Sequence, residues 1–207
     1  MNSVKIQYLG HACFMLESDG YRTVIDPYGH GMVPGVPNLS VEAEAVFCSH
    51  THGDHNFLEA VTICETDGAA PYTVTEFDTP HDDQNGTLRG RNFVRIFHFG
   101  DIRVAHLGDL GDFPEADVLE ALQGVDCMLI PVGGCFTIDP EMAKKVIDAT
   151  NPIVAIPMHY RTDSVGFDVL SHLNDFTKYY PEVQECDNSF LLTKETPKQI
   201  LIINYKP

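Results

Sequence analysis

Basic side chains are scarce in this 207-residue sequence: 13 lysines and arginines stand against 30 aspartates and glutamates, a net charge of −17. So negative a chain repels phosphodiester backbones and anionic lipid, which disfavours a general nucleic-acid or membrane-surface binder. The acids form no tail, because both halves of the chain carry an acidic excess. Long apolar runs are missing too: nothing approaches the ~20 residues of a membrane-spanning helix. The amino terminus alternates polar and apolar residues around Gly10 and His11, without the basic-then-apolar plan of a secretory signal. The six cysteines (Cys13, Cys48, Cys64, Cys127, Cys135 and Cys186) include no CxxC pair and lie mostly in apolar segments, so the expected compartment is the reducing cytoplasm. No linker, repeat or low-complexity stretch divides the chain. One domain over residues 1–207 is expected, able to bury roughly 70% of its unfolded surface without disulfides.

Short apolar or alternating runs at 4–9, 13–17, 23–25 and 45–48 read as strands, with a Gly/Pro-rich loop at 29–38. Further strands are expected at 72–77 and 92–99, the latter turning through Gly100 and Asp101 into 102–107. The second half alternates helix (114–122, 139–149, 167–179) with strand (127–132, 153–158), then ends in strands at 190–192 and 199–205. Asp139-Pro140-Glu141 is a helix start, an N-cap followed by proline at the first helical position. A strand-rich first part followed by strand–helix alternation implies two sheets with helices outside them.

The segment with chemistry is Ser49-His50-Thr51-His52-Gly53-Asp54-His55, directly after an apolar strand. Residues two apart in extended chain point to the same side, so His50 and His52 project together. Gly53 permits a tight turn, and Asp54 and His55 are expected at the start of a helix. Four donors within six residues crowd competing groups together unless an ion binds them. Imidazole nitrogen with carboxylate oxygen suits zinc, and also manganese or iron.

This HxHxDH run resembles the metallo-β-lactamase superfamily, and the resemblance continues in order along nearly the whole chain. It implies a four-layer αββα sandwich (class α/β, or α+β) with a site for two divalent cations at one edge. By that resemblance His81 completes a first metal site with His50 and His52, its neighbours Asp82 and Asp83 being the alternative donors for its place. Asp54, His55 and His159 form a second, and Asp109 is shared. Asp26 supports the ligands from behind, with His106 and Asp82 as further supporting candidates. His11, between the first two strands, borders the site. Gly10-His11-Ala12-Cys13-Phe14, Pro131-Val132-Gly133-Gly134 and Pro157-Met158-His159-Tyr160 are similar to the compact metal-dependent hydrolases of this superfamily, among them relatives of L-ascorbate 6-phosphate lactonase. No cysteine stands at the second metal's strand end, where Asp109 is found, and His52 stands where redox members carry glutamate. Both point to hydrolysis rather than antibiotic resistance or electron transfer.

The implied mechanism is attack by a metal-held hydroxide on an ester, lactone or phosphodiester, with Asp54 as ligand and orienting acceptor. Arg89, Arg91, Arg95 and Arg103 form an isolated basic group, since no lysine or arginine lies between Arg22 and Arg89. Arg89 or Arg91, with Asn92 beside them and His11 across the site, is therefore expected to hold an anionic group of a small-molecule substrate. Competing readings are a nuclease or cyclic-nucleotide phosphodiesterase, and a binding module that its metal merely stabilises. A homo-oligomer is compatible with all of them.

Overall fold

In the computed structural model, which describes residues 3–205, strands appear wherever apolar side chains alternate or run unbroken. In chain order these are β1 (Val4–Gly10), β2 (Cys13–Ser18), β3 (Tyr21–Ile25), β4 (Val41–Ala43), β5 (Ala45–Phe47), β6 (Val61–Ile63), β7 (Thr73–Pro80), β8 (Arg91–Phe99) and β9 (Ile102–His106). Then follow α1 (Ala116–Leu122), β10 (Cys127–Pro131), α2 (Pro140–Thr150), β11 (Val154–Met158), α3 (Leu173–Thr177), β12 (Gln184–Asp187), β13 (Ser189–Leu192) and β14 (Gln199–Asn204). A five-stranded sheet runs β13-β1-β2-β3-β5, a seven-stranded sheet β12-β14-β11-β10-β9-β8-β7, and β4 pairs with β6 in a small ribbon.

Alternation decides which face each side chain serves. Val4, Ile6, Phe14, Leu16 and Ile25 of the first sheet meet Phe97, Val104, Leu129, Ile156 and Ile203 of the second in one shared core. The opposite face of the seven-stranded sheet, through Ile96, Ala105, Met128 and Ile130, takes Val118 and Leu122 of α1, Val146 of α2 and Phe176 of α3. That explains the unbroken apolar run of β10, a strand buried on both faces. The outer face of the five-stranded sheet is covered by Tyr28, Val33 and Leu39 of a loop and by Ala43 and Val61 of the β4–β6 ribbon, not by a long helix. The fold is the expected mixed α/β sandwich, with unequal outer layers. No helix among the described residues is long and apolar enough to cross a membrane, and all six cysteines are free.

Two local expectations are corrected, and a third holds. The chain after His55 enters a turn and a one-turn 3-10 helix at Leu58–Ala60, not an α-helix carrying Asp54 and His55. The helix expected over 167–179 is confined to α3, because Phe167 and Leu170 are drawn inward and His172 caps the helix, its Nδ1 accepting the Asn174 N–H (3.2 Å). Asp139 does cap α2, accepting the Met142 N–H at 2.8 Å.

Strand direction positions everything that follows. β9, β10, β11, β14 and β12 are mutually parallel, while β7 and β8 join β9 by antiparallel pairing, so β7 runs with β9. By the same logic β1, β3 and β5 run alike in the first sheet. Ligand sites in open α/β sheets gather beyond the carboxyl ends of such strands. His11 follows β1, Asp26 follows β3, His50–His55 follow β5, His81 follows β7, Asp109 follows β9 and His159 follows β11.

Candidate metal centre

The six strand ends meet at one edge of the sandwich, laced across the seam by backbone. The His159 N–H donates to His11 O (2.9 Å) and the Phe93 N–H to Ser49 O (2.9 Å). His11, Asp26 and His159 each adopt left-handed backbone (φ 57°, 53° and 54°), a conformation rare for non-glycine residues. Such turns persist only where the surroundings over-determine them, as at binding sites.

Asp109 is the centre of the cluster. Its Oδ2 lies 3.3 Å from Nε2 of His55, His81 and His159, and 3.8 Å from Nε2 of His50. His52 Nδ1 is 3.1 Å from His81 Nε2. Three donor groups result, each with its atoms within 4.8 Å of one another: His50, His52 and His81; His50, His55 and Asp109; and His11, Asp54, His55 and His159.

Hydrogen bonds behind the rings set their tautomers. Asp26 Oδ1 accepts the Ser49 N–H (2.6 Å), and its Oδ2 accepts both the Ser49 hydroxyl (2.6 Å) and His55 Nδ1–H (2.8 Å). With its proton given to Asp26, Ser49 Oγ accepts from His50 Nδ1–H at 2.9 Å. His81 Nδ1–H points at Phe136 O, 3.4 Å away. In the neutral ring each arrangement leaves Nε2 as a bare lone pair turned toward the Asp109 carboxylate. Lone pairs facing an anion in a buried site repel, unless a cation lies between them. Accordingly five of the six buried side-chain polar atoms without a hydrogen-bond partner, among the described residues, belong here: His11 Nδ1, His50 Nε2, His55 Nε2, Asp109 Oδ1 and His159 Nδ1. The donor set therefore fits divalent cations.

The titration behaviour agrees. Burial, reinforced by His55, pushes His50 down to about 3. Burial and His159 push His11 down to about 4. Burial also lowers His52 and His81. Neutral imidazole is the form that binds metal. His55 goes the other way: burial opposes its charge, but Asp109 and Asp26 outweigh burial and raise it, so the cluster attracts positive charge. Burial would raise Asp109, yet His159 and His55 hold it well below the ordinary carboxylate range.

A profile for the beta-lactamase superfamily domain matches residues 5–159. The chain belongs to this superfamily. It is 29% identical to a UPF0173 metal-dependent hydrolase of Carboxydothermus hydrogenoformans and 30% identical to one of Thermococcus onnurineus, in each case over 77% of this chain and 85% of the relative. Among solved structures it is similar to a Thermotoga maritima protein assigned to the Zn-dependent hydrolases of the metallo-beta-lactamase superfamily, with 31% identity, a TM-score of 0.72, and coverage of 97% of this chain and 98% of that one. A metallo hydrolase of Ignicoccus hospitalis shares the fold at 20% identity and a TM-score of 0.69, covering 93% of this chain and all of that one.

Around this metallo-β-lactamase-type centre the remaining expected residues separate. Asn92 is buried beneath Asp109: its Oδ1 accepts the Asp109 N–H (2.8 Å), and its Nδ2 donates to Thr79 Oγ1 and Leu107 O (3.0 Å each). Its hydrogen bonds aim Asp109, and it does not reach the cleft. His106 Nδ1 accepts the Gly108 N–H (3.1 Å), so Nε2–H donates to Ala12 O (3.0 Å) and pins β9 to the opposite sheet. Asp82 touches no ligand ring; it accepts four backbone N–H groups, from Gln84, Gly86, Leu88 and Arg89. His11 lies with its side chain wholly buried and its Nε2 3.3 Å from Asp54 Oδ2, among the donors rather than in the cleft. Arg91 is spent on Asp78 (2.6 Å) and lines a different surface depression.

The cleft over the donors has a volume of about 180 Å³ and is lined by Asp54, His81, Asp109 and His159 with Arg89, Cys135, Phe136, Phe167, Val169 and Leu170. Ser49 and the apolar wall were missed by sequence reasoning. Ser49 had a signal, its place immediately before the histidine run. The wall had none, since its residues come from two separate loops.

Proposed function

We propose that this protein is a metal-dependent hydrolase of a small molecule, cleaving an ester, lactone or phosphodiester bond. The observation that carries this reading is Asp109 Oδ2, 3.3 Å from Nε2 of three imidazoles, two of which, His55 and His81, spend Nδ1–H on outer acceptors. The naming of relatives as metal-dependent hydrolases supports it.

His50, His52 and His81 would hold one cation, and Asp54, His55 and His159 a second, with Asp109 between them. Zinc suits these donors first, with manganese or iron also accommodated. When bound, such a pair lowers the pKa of water toward neutrality and polarises the oxygen of the scissile group. Asp54 has the catalytic role among the side chains. It reaches the cleft, is held well below the usual carboxylate range by His11 and His55 against the effect of burial, and so stays an acceptor that orients the attacking water. Asp26, through Ser49 and His55, keeps the donor nitrogens aimed. The cleft, about 180 Å³, lies below the ~300 Å³ typical of drug-sized ligand sites, which favours a small metabolite over a polymer. Six free cysteines agree with a cytoplasmic location.

The test is metal analysis of the purified protein, followed by turnover of lactones, phosphodiesters and phosphorylated sugars. Two metals per chain and hydrolysis abolished by His52→Ala are expected. One inert metal and no turnover would make the protein a metal-stabilised binding module instead.

A further inference from the structure

The chain has six arginines, and five are committed to protein oxygens. Arg22 binds Glu44 (2.8 Å), Arg91 binds Asp78 (2.6 Å) and Arg95 binds Glu76 (2.7 Å). Arg103 donates to the carbonyls of Gln123 and Gly124 (2.8 and 3.0 Å), and Arg161 to Leu170 O (2.8 Å). The Arg89 guanidinium has no such partner among the described residues. Its Cζ lies 4.6 Å over the Phe136 ring, and stacking on a ring face leaves the in-plane N–H fork free for a carboxylate or phosphate. In a chain with more than two acids per base, an arginine left without an acid is unusual.

Its loop is built to hold it. The four N–H groups that Asp82 accepts include that of Arg89 itself, at 2.7 Å. Gly90 N–H closes on Gly86 O (3.0 Å), and His81 N–H on Gly90 O (3.1 Å). The guanidinium is therefore presented from a pinned backbone, into a cleft that it lines together with His81, whose Nε2 is 3.1 Å from His52 Nδ1.

The other side of the cleft is of the opposite character. Phe167, Val169 and Leu170 line it beside His159, and the Phe167 ring is 5.4 Å from that of His11. Val169 is 72% exposed, and Leu88 and Phe136, also exposed, stand near Arg89. Solvated apolar side chains at the mouth of a site gain by covering each other with ligand.

From this polarity we infer that the substrate is amphiphilic, with a carboxylate or phosphate on Arg89 at the His52–His81 side and an apolar alkyl or aryl group against Phe167, Val169 and Leu170 at the His159 side. The scissile bond then lies between them, over Asp109. The inference rests on the hydrolase reading for the reaction: water's oxygen joins the acyl carbon as the ester C–O bond breaks, and its proton goes to the leaving oxygen.

The experiment compares esters matched in leaving-group basicity on the metal-loaded protein: benzyl hydrogen glutarate, its neutral counterpart benzyl pentanoate, and methyl hydrogen glutarate, which lacks the ring. The first is expected to exceed each of the others by roughly 10-fold or more in kcat/KM, as charge-assisted hydrogen bonds and apolar burial each allow. Arg89→Gln should bring the ratio of anionic to neutral ester to near one through KM, and Arg89→Lys should restore part of it. Val169→Asp, at an exposed position, should erase the preference for benzyl over methyl. Lys145→Gln removes the same charge from a distant helix and should change neither ratio. Calorimetry with 4-phenylbutanoate, which has no bond to cleave, separates this inference from the hydrolase reading. Binding weakened at least 10-fold by Arg89→Gln supports the amphiphilic site even if no ester turns over. Equal binding to Arg89→Gln would mean that the carboxylate goes to metal, and would overturn the inference, as would a wild-type preference for the neutral ester.

Discussion

Replacing Asp26 by alanine removes three hydrogen bonds at once, from the Ser49 amide, the Ser49 hydroxyl and the His55 ring. Both His50 and His55 then lose the partner, direct or relayed, that aims their Nε2. Metal affinity should fall by roughly 10- to 100-fold, the usual cost of removing an outer partner of a metal-binding histidine, and chelator competition on the purified variant measures it. Ser49→Ala should fall in the same direction but affect His50 alone. Asp139 is the contrasting case. Its side chain caps α2 and belongs to none of the donor groups, so Asp139→Ala should cost about 1 kcal/mol in urea unfolding and leave metal affinity unchanged. Two carboxylates that accept backbone N–H groups thus differ in kind: the buried Asp26 orders rings, and the exposed Asp139 satisfies a helix end.

Elements meet the site through close backbone contacts that leave no room for a side chain. A Cβ on Gly111 would lie 2.0 Å from Asp82 N and 2.4 Å from His81 C, both backbone atoms that cannot swing aside. Gly111→Ala should therefore push the end of β7 from the segment after β9, with a cost of at least 1–3 kcal/mol and faster amide exchange through residues 81–90. At the edge of the first sheet, the Arg22 hydrogen bond holds the Glu44 carboxyl below its ordinary value. A depressed folded value means stability present above about pH 4.3 and lost as pH falls through that lower value. Glu44→Gln should flatten the acid limb of a stability–pH curve. Elements also explain what sequence alone reveals. The strand ends bearing His50–His55, Asp109 and His159 are legible because apolar runs stop where polar donors begin. β12 and the β4–β6 ribbon are not, being three or four residues long and partly exposed. Arg89 and Arg91 look alike in sequence, but only the turn at Gly90 separates a loop cation facing the cleft from a strand cation facing Asp78. Likewise His11 reads as a cleft residue until the left-handed turn after β1 folds it beneath Asp54.

At the scale of the molecule the proposed cations join two sheets, since their donors come from both. Ligands that bind only the folded state stabilise it by mass action, so EDTA should lower Tm and excess zinc should restore it, as read by calorimetry. Two divalent cations would also neutralise four of the seventeen net negative charges, easing self-repulsion. The donors are not spread evenly along the chain, however. His50, His52, Asp54 and His55 lie within six residues, whereas His81, Asp109 and His159 arrive from strands far downstream. The nascent polypeptide thus carries a short chelating stretch from the moment residue 55 is made, well before the seven-stranded sheet exists. Such a stretch can capture an ion early and keep it through unfolding, so that the metal rides with the chain rather than leaving it. The gain in Tm from added zinc should then fall short of what affinity for the native protein alone demands, and a peptide spanning residues 45–60 should bind zinc by itself, weakly, in a titration.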